Sequence, residues 1–225
     1  MHRVAPPVST LLAVVALTLA TAGAAQTTTA SLRLVHAMPG AADATLHVAG
    51  SVVANARAGT AGDGYVAIEA GSPEVVVDVD GVRVAADPVE LRAGFRYQAV
   101  LYRSDAGAPT LDVIAGPVGR VDGVALLRTV NLVPHLDRVR TYLHDACEGS
   151  WRNLAFSFGG VAPYDVWEYN HSGPMTVCAG TTALAPTRTR PDDPSAPWLL
   201  AGRSLSVFVV LGTDGPEVLF VDDTP

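Results

Sequence analysis

The sequence predicts an all-β chain organised as two tandem antiparallel β-sandwich domains of roughly a hundred residues each. Three observations lead there. Alternating apolar runs follow one another with turn residues about every eight to twelve positions, the rhythm of a sandwich. No stretch beyond the N-terminus carries a helical period. Three blocks of sequence also recur in the same order.

Composition suits folded, packed material: of 225 residues, 49% are apolar and 16% charged. The formal charge is −7, and all 15 basic residues are arginines, because the chain has no lysine. An acidic chain with scattered arginines has no general attraction for a phosphate backbone, so a nucleic-acid partner is not expected.

The first element is a targeting segment. His2 and Arg3 make a short polar start, Leu11–Ala20 is an apolar core, and Ala22-Gly23-Ala24 offers small residues to a signal peptidase. Residues 1–25 therefore read as a signal peptide, with cleavage after Ala24 or Ala25. The apolar run is short for a membrane anchor, and no cysteine follows it for lipid attachment. No later stretch is apolar enough for a transmembrane helix, so no membrane span is expected once the leader is removed. The expected location is secreted or periplasmic, at the cell envelope.

Two repeats are expected, at 26–118 and 119–225. Leu32–Pro39 (LRLVHAMP) lines up with Leu127–Pro134 (LRTVNLVP), each an alternating strand that ends in proline. A second alternating run follows in each, Ala44–Val48 and Val139–Leu143. Tyr65–Gly81 matches Tyr164–Gly180, and Leu91–Tyr102 matches Leu200–Leu211. Within the first repeat, Val75–Val79 and Val82–Val84 flank Asp80-Gly81, a dipeptide suited to a tight hairpin. The second repeat carries four extra residues before Tyr164 and ten more between Gly180 and Leu200. The larger insertion falls in Thr181–Pro197, rich in Pro, Thr, Arg and Asp, and is expected to be an exposed loop. The joint near Gly116–Asp122 is short, so the repeats should touch.

These blocks resemble the exported bacterial family known as domain of unknown function 4397. The likeness is carried by Leu32–Gly40 leading into Ala42–Val48, by Tyr65–Gly71, and by Leu91–Gln98. It covers Ser31 to about Ile114, and the second repeat keeps Asn131, Pro134 and Leu200–Gly202. The resemblance implies export, an immunoglobulin-like fold and tandem copies. It brings no established activity and no catalytic residue.

Candidate chemistry is sparse. Cys147 and Cys178 are the two cysteines, and in an oxidising compartment they should form one disulfide. Neither sits in a CxxC pair, which argues against a metal site. His36 and His47 could face each other across a hairpin, yet no carboxylate at ligand spacing completes a site. His36 stands where the second repeat has Asn131, and both side chains can bond local backbone. His144–Glu148 is denser in ligands, but its cysteine is the one assigned to the disulfide. Asp78, Asp80 and Gly81 look like a calcium-loop fragment that lacks its closing carboxylate. Asp192-Asp193 and Asp222-Asp223 read as solvated. No Gly-x-Ser-x-Gly exists, and Ser157 reads as a strand-and-turn serine. No catalytic residue, metal or cofactor is assigned, and the chain is not expected to be an enzyme; a metal-dependent or hydrolytic activity is the third-ranked reading.

Aromatic placement points further. Trp151, Trp167 and Trp198 all lie in the second repeat, and Trp151 and Trp198 flank its insertions. A tryptophan offers a large flat apolar face with one donor, which suits a ligand or partner site. The candidate binding residues are therefore Trp151 and Trp198, with Arg188 and Arg190 of the intervening loop. The competing account makes the tryptophans core residues. The expected function is an exported, non-catalytic binding or structural module for an unknown protein or surface polymer. A carbohydrate-binding module that uses these tryptophans is the alternative.

Overall fold

The computed structural model describes residues 28–117, 122–143, 147–149, 153–156, 159–167, 175–186 and 201–224. Among them there is no helix, and the chain is all-β. In the N-terminal half the strands are β1 (Thr29–His36), β2 (Ala44–Val48), β3 (Ser51–Ala56), β4 (Thr60–Ala61), β5 (Val66–Glu69), β6 (Val75–Val79), β7 (Val82–Ala85), β8 (Arg96–Arg103) and β9 (Pro109–Ala115). They form two sheets. One has the order β4-β1-β8-β9, with β5 also on β1, and the other β3-β2-β6-β7.

The C-terminal half contributes β10 (Ala125–Asn131), β11 (Arg138–Tyr142), β12 (Asn153–Phe156), β13 (Gly160–Val161), β14 (Asp165–Trp167), β15 (Thr176–Ala179), β16 (Thr182–Ala183), β17 (Ala185–Pro186), β18 (Ser204–Leu211) and β19 (Pro216–Asp222). Its sheets run β13-β10-β18-β19-β17, with β14 on β10, and β12-β11-β15-β16. Position for position this is the strand order of the first half, with β17 added at an edge.

Strand pairing is antiparallel except at three places. β1 runs parallel to β8, β10 to β18 and β17 to β19. A parallel pair needs a long crossover, and β1 and β8 have six strands between them in the chain. The short strands β4 and β5 hold the two ends of β1 in succession.

The Asp80-Gly81 turn is present. Asp80 and Gly81 take φ of 50° and 74°, the primed geometry that matches strand twist, and join Val79 to its partner Val82. The corresponding connection between β15 and β16 uses Gly180 and Thr181, with Ala179 opposite Thr182. Part of the expected Thr181–Pro197 loop is therefore strand: β16 pairs with β15, and β17 pairs with β19. Residues 187–197 lie outside the described residues. A two-residue turn after β15 brings the chain straight back to its neighbour, where the exposed edge supplies free backbone partners.

Cys147 and Cys178 are bonded, with Cα atoms 5.8 Å apart. The bond ties the segment after β11 to β15, and Cys178 is fully buried.

Three apolar clusters hold the molecule. One lies between the two N-terminal sheets and includes Leu32, Leu34, Leu46, Val77 and Leu101. A second lies between the two C-terminal sheets and includes Leu127, Val139, Val177, Val207 and Val209. The third joins the halves, with Val35, Val100 and Tyr102 from one side and Val130, Phe208, Val210 and Leu219 from the other. Strand alternation explains this division. Leu32 and Leu34 of β1 face the first core while Val35 faces the joint; Leu101 and Val100 of β8 divide the same way. The sheets holding β1 and β8 and holding β10 and β18 are thus buried on both faces. The molecule is a four-layer stack of sheets.

Candidate functional site

The face of β1 that carries Val35 also carries Arg33, and the matching face of β10 carries Arg128. Arg128 is buried and Arg33 largely so, and each finds partners in the joint. Arg33 Nε donates to the Gly62 carbonyl (2.9 Å) and its Nη1 donates across the joint to the Asp222 carbonyl. Arg128 Nη1 donates the other way, to the Ala115 carbonyl of β9. Asp222 of β19 and Ala115 of β9 occupy the same register, opposite Leu205 and Tyr97. The two halves therefore exchange equivalent hydrogen bonds, as two subunits do across a twofold axis.

Asp223 lies at the centre of this seam and is fully buried. Gln98 Nε2 and Ser206 Oγ donate to its two carboxylate oxygens, the Tyr164 hydroxyl donates to Oδ2 at 3.1 Å, and Arg33 Nη1 stands 3.9 Å away. Arg128 donates to Ser206 Oγ (2.7 Å) and to Gln98 Oε1, and its guanidinium lies 4.6 Å from the Tyr164 ring centroid. Burial pushes the Asp223 carboxyl upward, while Arg128, Ser206, Arg33 and Tyr164 pull it back. Burial raises the Tyr164 and Tyr65 phenols far above their ordinary value, with the Asp223 charge adding to it. Both phenols therefore stay protonated; Tyr164 donates its hydrogen bond to the Asp223 carboxylate.

Beside the seam is a cavity of about 500 Å³ lined by Arg33, Asp63, Tyr65, Arg96, Asp222 and Thr224 among others. The Arg96 guanidinium carbon is 5.3 Å from the Tyr65 ring centroid, and that of Arg33 is 5.9 Å away. Among the described residues, four buried side-chain atoms have no hydrogen-bond partner: His36 Nδ1, Tyr65 OH, Arg96 Nη1 and Arg140 Nε. Two of the four, both donors, belong to residues that line this cavity. The Asp222 carboxylate is engaged by Arg203 (2.8 Å) and by the Thr224 amide (3.0 Å). Asp63 is exposed at the cavity rim.

The candidate binding residues from the sequence, Trp151, Arg188, Arg190 and Trp198, lie outside the described residues. Trp167 falls on β14, opposite Ala125. His144, His171, Ser157, Asp192 and Asp193 are likewise outside. His47 does not face His36: its Nε2 pairs with Asp78 Oδ2 at 2.9 Å, and Asp78 also takes a two-pronged contact from Arg83. Asp80 Oδ1 accepts the Ala42 amide at 3.0 Å. Two members of the calcium-loop fragment thus have protein partners. Of the C-terminal acidic pair, read as solvated, Asp223 is completely buried. Its position two residues from the end of the chain concealed that, since β19 carries it back into the joint.

Sequence reasoning missed the seam, although a signal for it was present. The repeat places Tyr65 over Tyr164, each just before a short strand, and Arg33 over Arg128, charged side chains in otherwise apolar strands. Such a position marks a strand face whose second side is buried against something polar.

The family described as Domain of unknown function (DUF4397) matches residues 30–142, just over half of the chain, running from β1 through β11. No curated protein matches the chain. Among solved structures, the chain is similar to a carbohydrate-binding module of family CBM26 from Eubacterium rectale Amy13K, determined in complex with maltoheptaose. The identity is 9%, the TM-score is 0.28, and the match covers 88% of this chain and 98% of that one. A TM-score that low carries no argument about ligand.

Proposed function

This chain belongs to the DUF4397 family, and from that premise we propose that it is an exported, non-catalytic β-sandwich module, built of two tandem copies of one domain, that binds or organises a partner at the cell envelope or outside the cell. The carrying observation is the seam. Arg33, Gln98, Arg128 and Asp223 are spent on tying one half to the other, with Tyr164 and Ser206 holding the Asp223 carboxylate, and together they make a paired scaffold that holds its loops at fixed spacing. The recurrence of strand order and the reciprocal arginine bonds support the duplication, with copies at 26–118 and 119–225. The disulfide supports an oxidising compartment.

The partner is an unknown protein or surface polymer. Its contact is proposed on the second copy around Trp151, Trp198, Arg188 and Arg190, where large aromatics adjoin an insertion. The test has two parts. Mass spectrometry of protein recovered from its native host should find a chain starting near Gln26; an intact residue 1–24 segment contradicts export by cleavage. Adsorption to insoluble envelope polymer should fall when Trp151 and Trp198 are both replaced by alanine, while the thermal midpoint holds. Unchanged adsorption contradicts that contact. Quenching of tryptophan fluorescence by neutral polysaccharide alone would favour the carbohydrate-binding alternative.

A further inference from the structure

We propose that the cavity beside Tyr65 binds the carboxylate group of an acidic ligand, which Tyr65 and Arg96 would hold as Tyr164 holds Asp223 in the other half.

The argument compares equivalent positions. Gly116 N–H donates to the Arg96 carbonyl, and Asp223 N–H donates to the Ser204 carbonyl. Arg96 stands opposite Ser31, and Ser204 opposite Leu126, at matching places on β1 and β10. Gly116 therefore occupies the place of Asp223, and Arg96 the place of Ser204. Relative to the C-terminal half, the N-terminal half has exchanged an acid for a glycine and a neutral side chain for a cation.

In the C-terminal half the phenol of Tyr164 is satisfied by the Asp223 carboxylate. In the N-terminal half the Tyr65 hydroxyl and Arg96 Nη1 are two buried donors without an acceptor. A buried donor left unpaired is costly, and a guanidinium beside a phenol is a fitting cradle for a planar carboxylate. The chain cannot supply that carboxylate itself at position 116. A Cβ there would lie 3.0 Å from Arg96 Cβ and 3.1 Å from the Tyr65 hydroxyl. The neighbouring acids are otherwise placed: Asp222 is held by Arg203 and Thr224, Asp223 is held by Gln98, Ser206 and Tyr164, and Asp63 is exposed. With Asp222 and Asp223 engaged elsewhere and Asp63 exposed, the cradle is open to a carboxylate from outside, and a cavity of about 500 Å³ admits a ligand the size of a sugar acid or a short peptide terminus.

This deepens the binding-module reading, and its failure is separable, since the cradle is Tyr65 and Arg96 of the first copy and the polymer contact is placed at Trp151 and Trp198 of the second. The experiment is a chemical-shift titration of the mature full-length protein with galacturonate, N-acetylalanine, galactose and inorganic phosphate. The two acids distinguish a sugar source of the carboxylate from a peptide source. We expect saturable shifts at Tyr65 and Arg96 with at least one acid and none with galactose. Arg96→Gln should weaken that affinity by about tenfold. Tyr65→Phe should weaken it less, and Asp63→Asn should tighten it by removing a like charge at the rim. The last variant answers any claim that weakened binding reflects damaged folding. The proposal is overturned if neither acid binds saturably, if phosphate or galactose binds as well as the acids, or if Arg96→Gln leaves affinity unchanged.

Discussion

His36 is completely buried at the end of β1, and its Nε2 donates to the Ala42 carbonyl at 2.7 Å while Nδ1 has no partner. At the matching position Asn131 donates to the Leu136 carbonyl at 2.6 Å and accepts the Val133 amide at 3.1 Å. Each pins the turn after its strand, the role that two polar residues at one repeat position suggested. Burial lowers the His36 pKa below 6.5, outweighing the Ala42 bond and the Asp43 and Asp80 charges that raise it; Arg103 lowers it further. The folded protein thus holds a neutral imidazole where the unfolded chain takes up a proton. Stability from this site is complete above about pH 6.5 and is lost as pH falls toward the folded pKa. Urea unfolding on either side of that pH should show the native protein losing more stability in acid than His36→Asn does. Equal losses would contradict the assignment.

At the scale of elements, the disulfide and the Asp80-Gly81 hairpin were the legible parts. Two cysteines leave one pairing, and Asp-Gly between valine runs leaves one turn. β16 and β17 were not legible, because Thr182–Ala183 and Ala185–Pro186 are too short to show a period and gain their order from the edges they join. The disulfide closes a separation of 31 residues. On the chain-entropy account, replacing Cys147 and Cys178 by alanine should cost roughly 3–4 kcal/mol. The amides of β11 and β15 should exchange faster in that variant. Unaltered exchange in those strands would show that the bond secures something else.

Over the whole molecule, the legible part was the all-β sandwich class; what was hidden was how the two halves of the chain meet. The apolar residues of β18 follow one another without alternation, the mark of a sheet covered on both faces, but a sequence does not state what covers the second face. The seam residues escaped for the same reason: Arg128 and Asp223 look like surface charges until the other half is laid against them. The central claim is that the halves form one body through a shared core whose largest fully buried side chain, among the described residues, is Phe208. Phe208→Ala should cost about 3–5 kcal/mol. Native-state hydrogen exchange measures its reach most directly. The account predicts faster exchange in β1 and β8, across the joint, as well as in β10 and β18. Acceleration confined to β10, β18 and β19, with β1 and β8 protected as before, would contradict it.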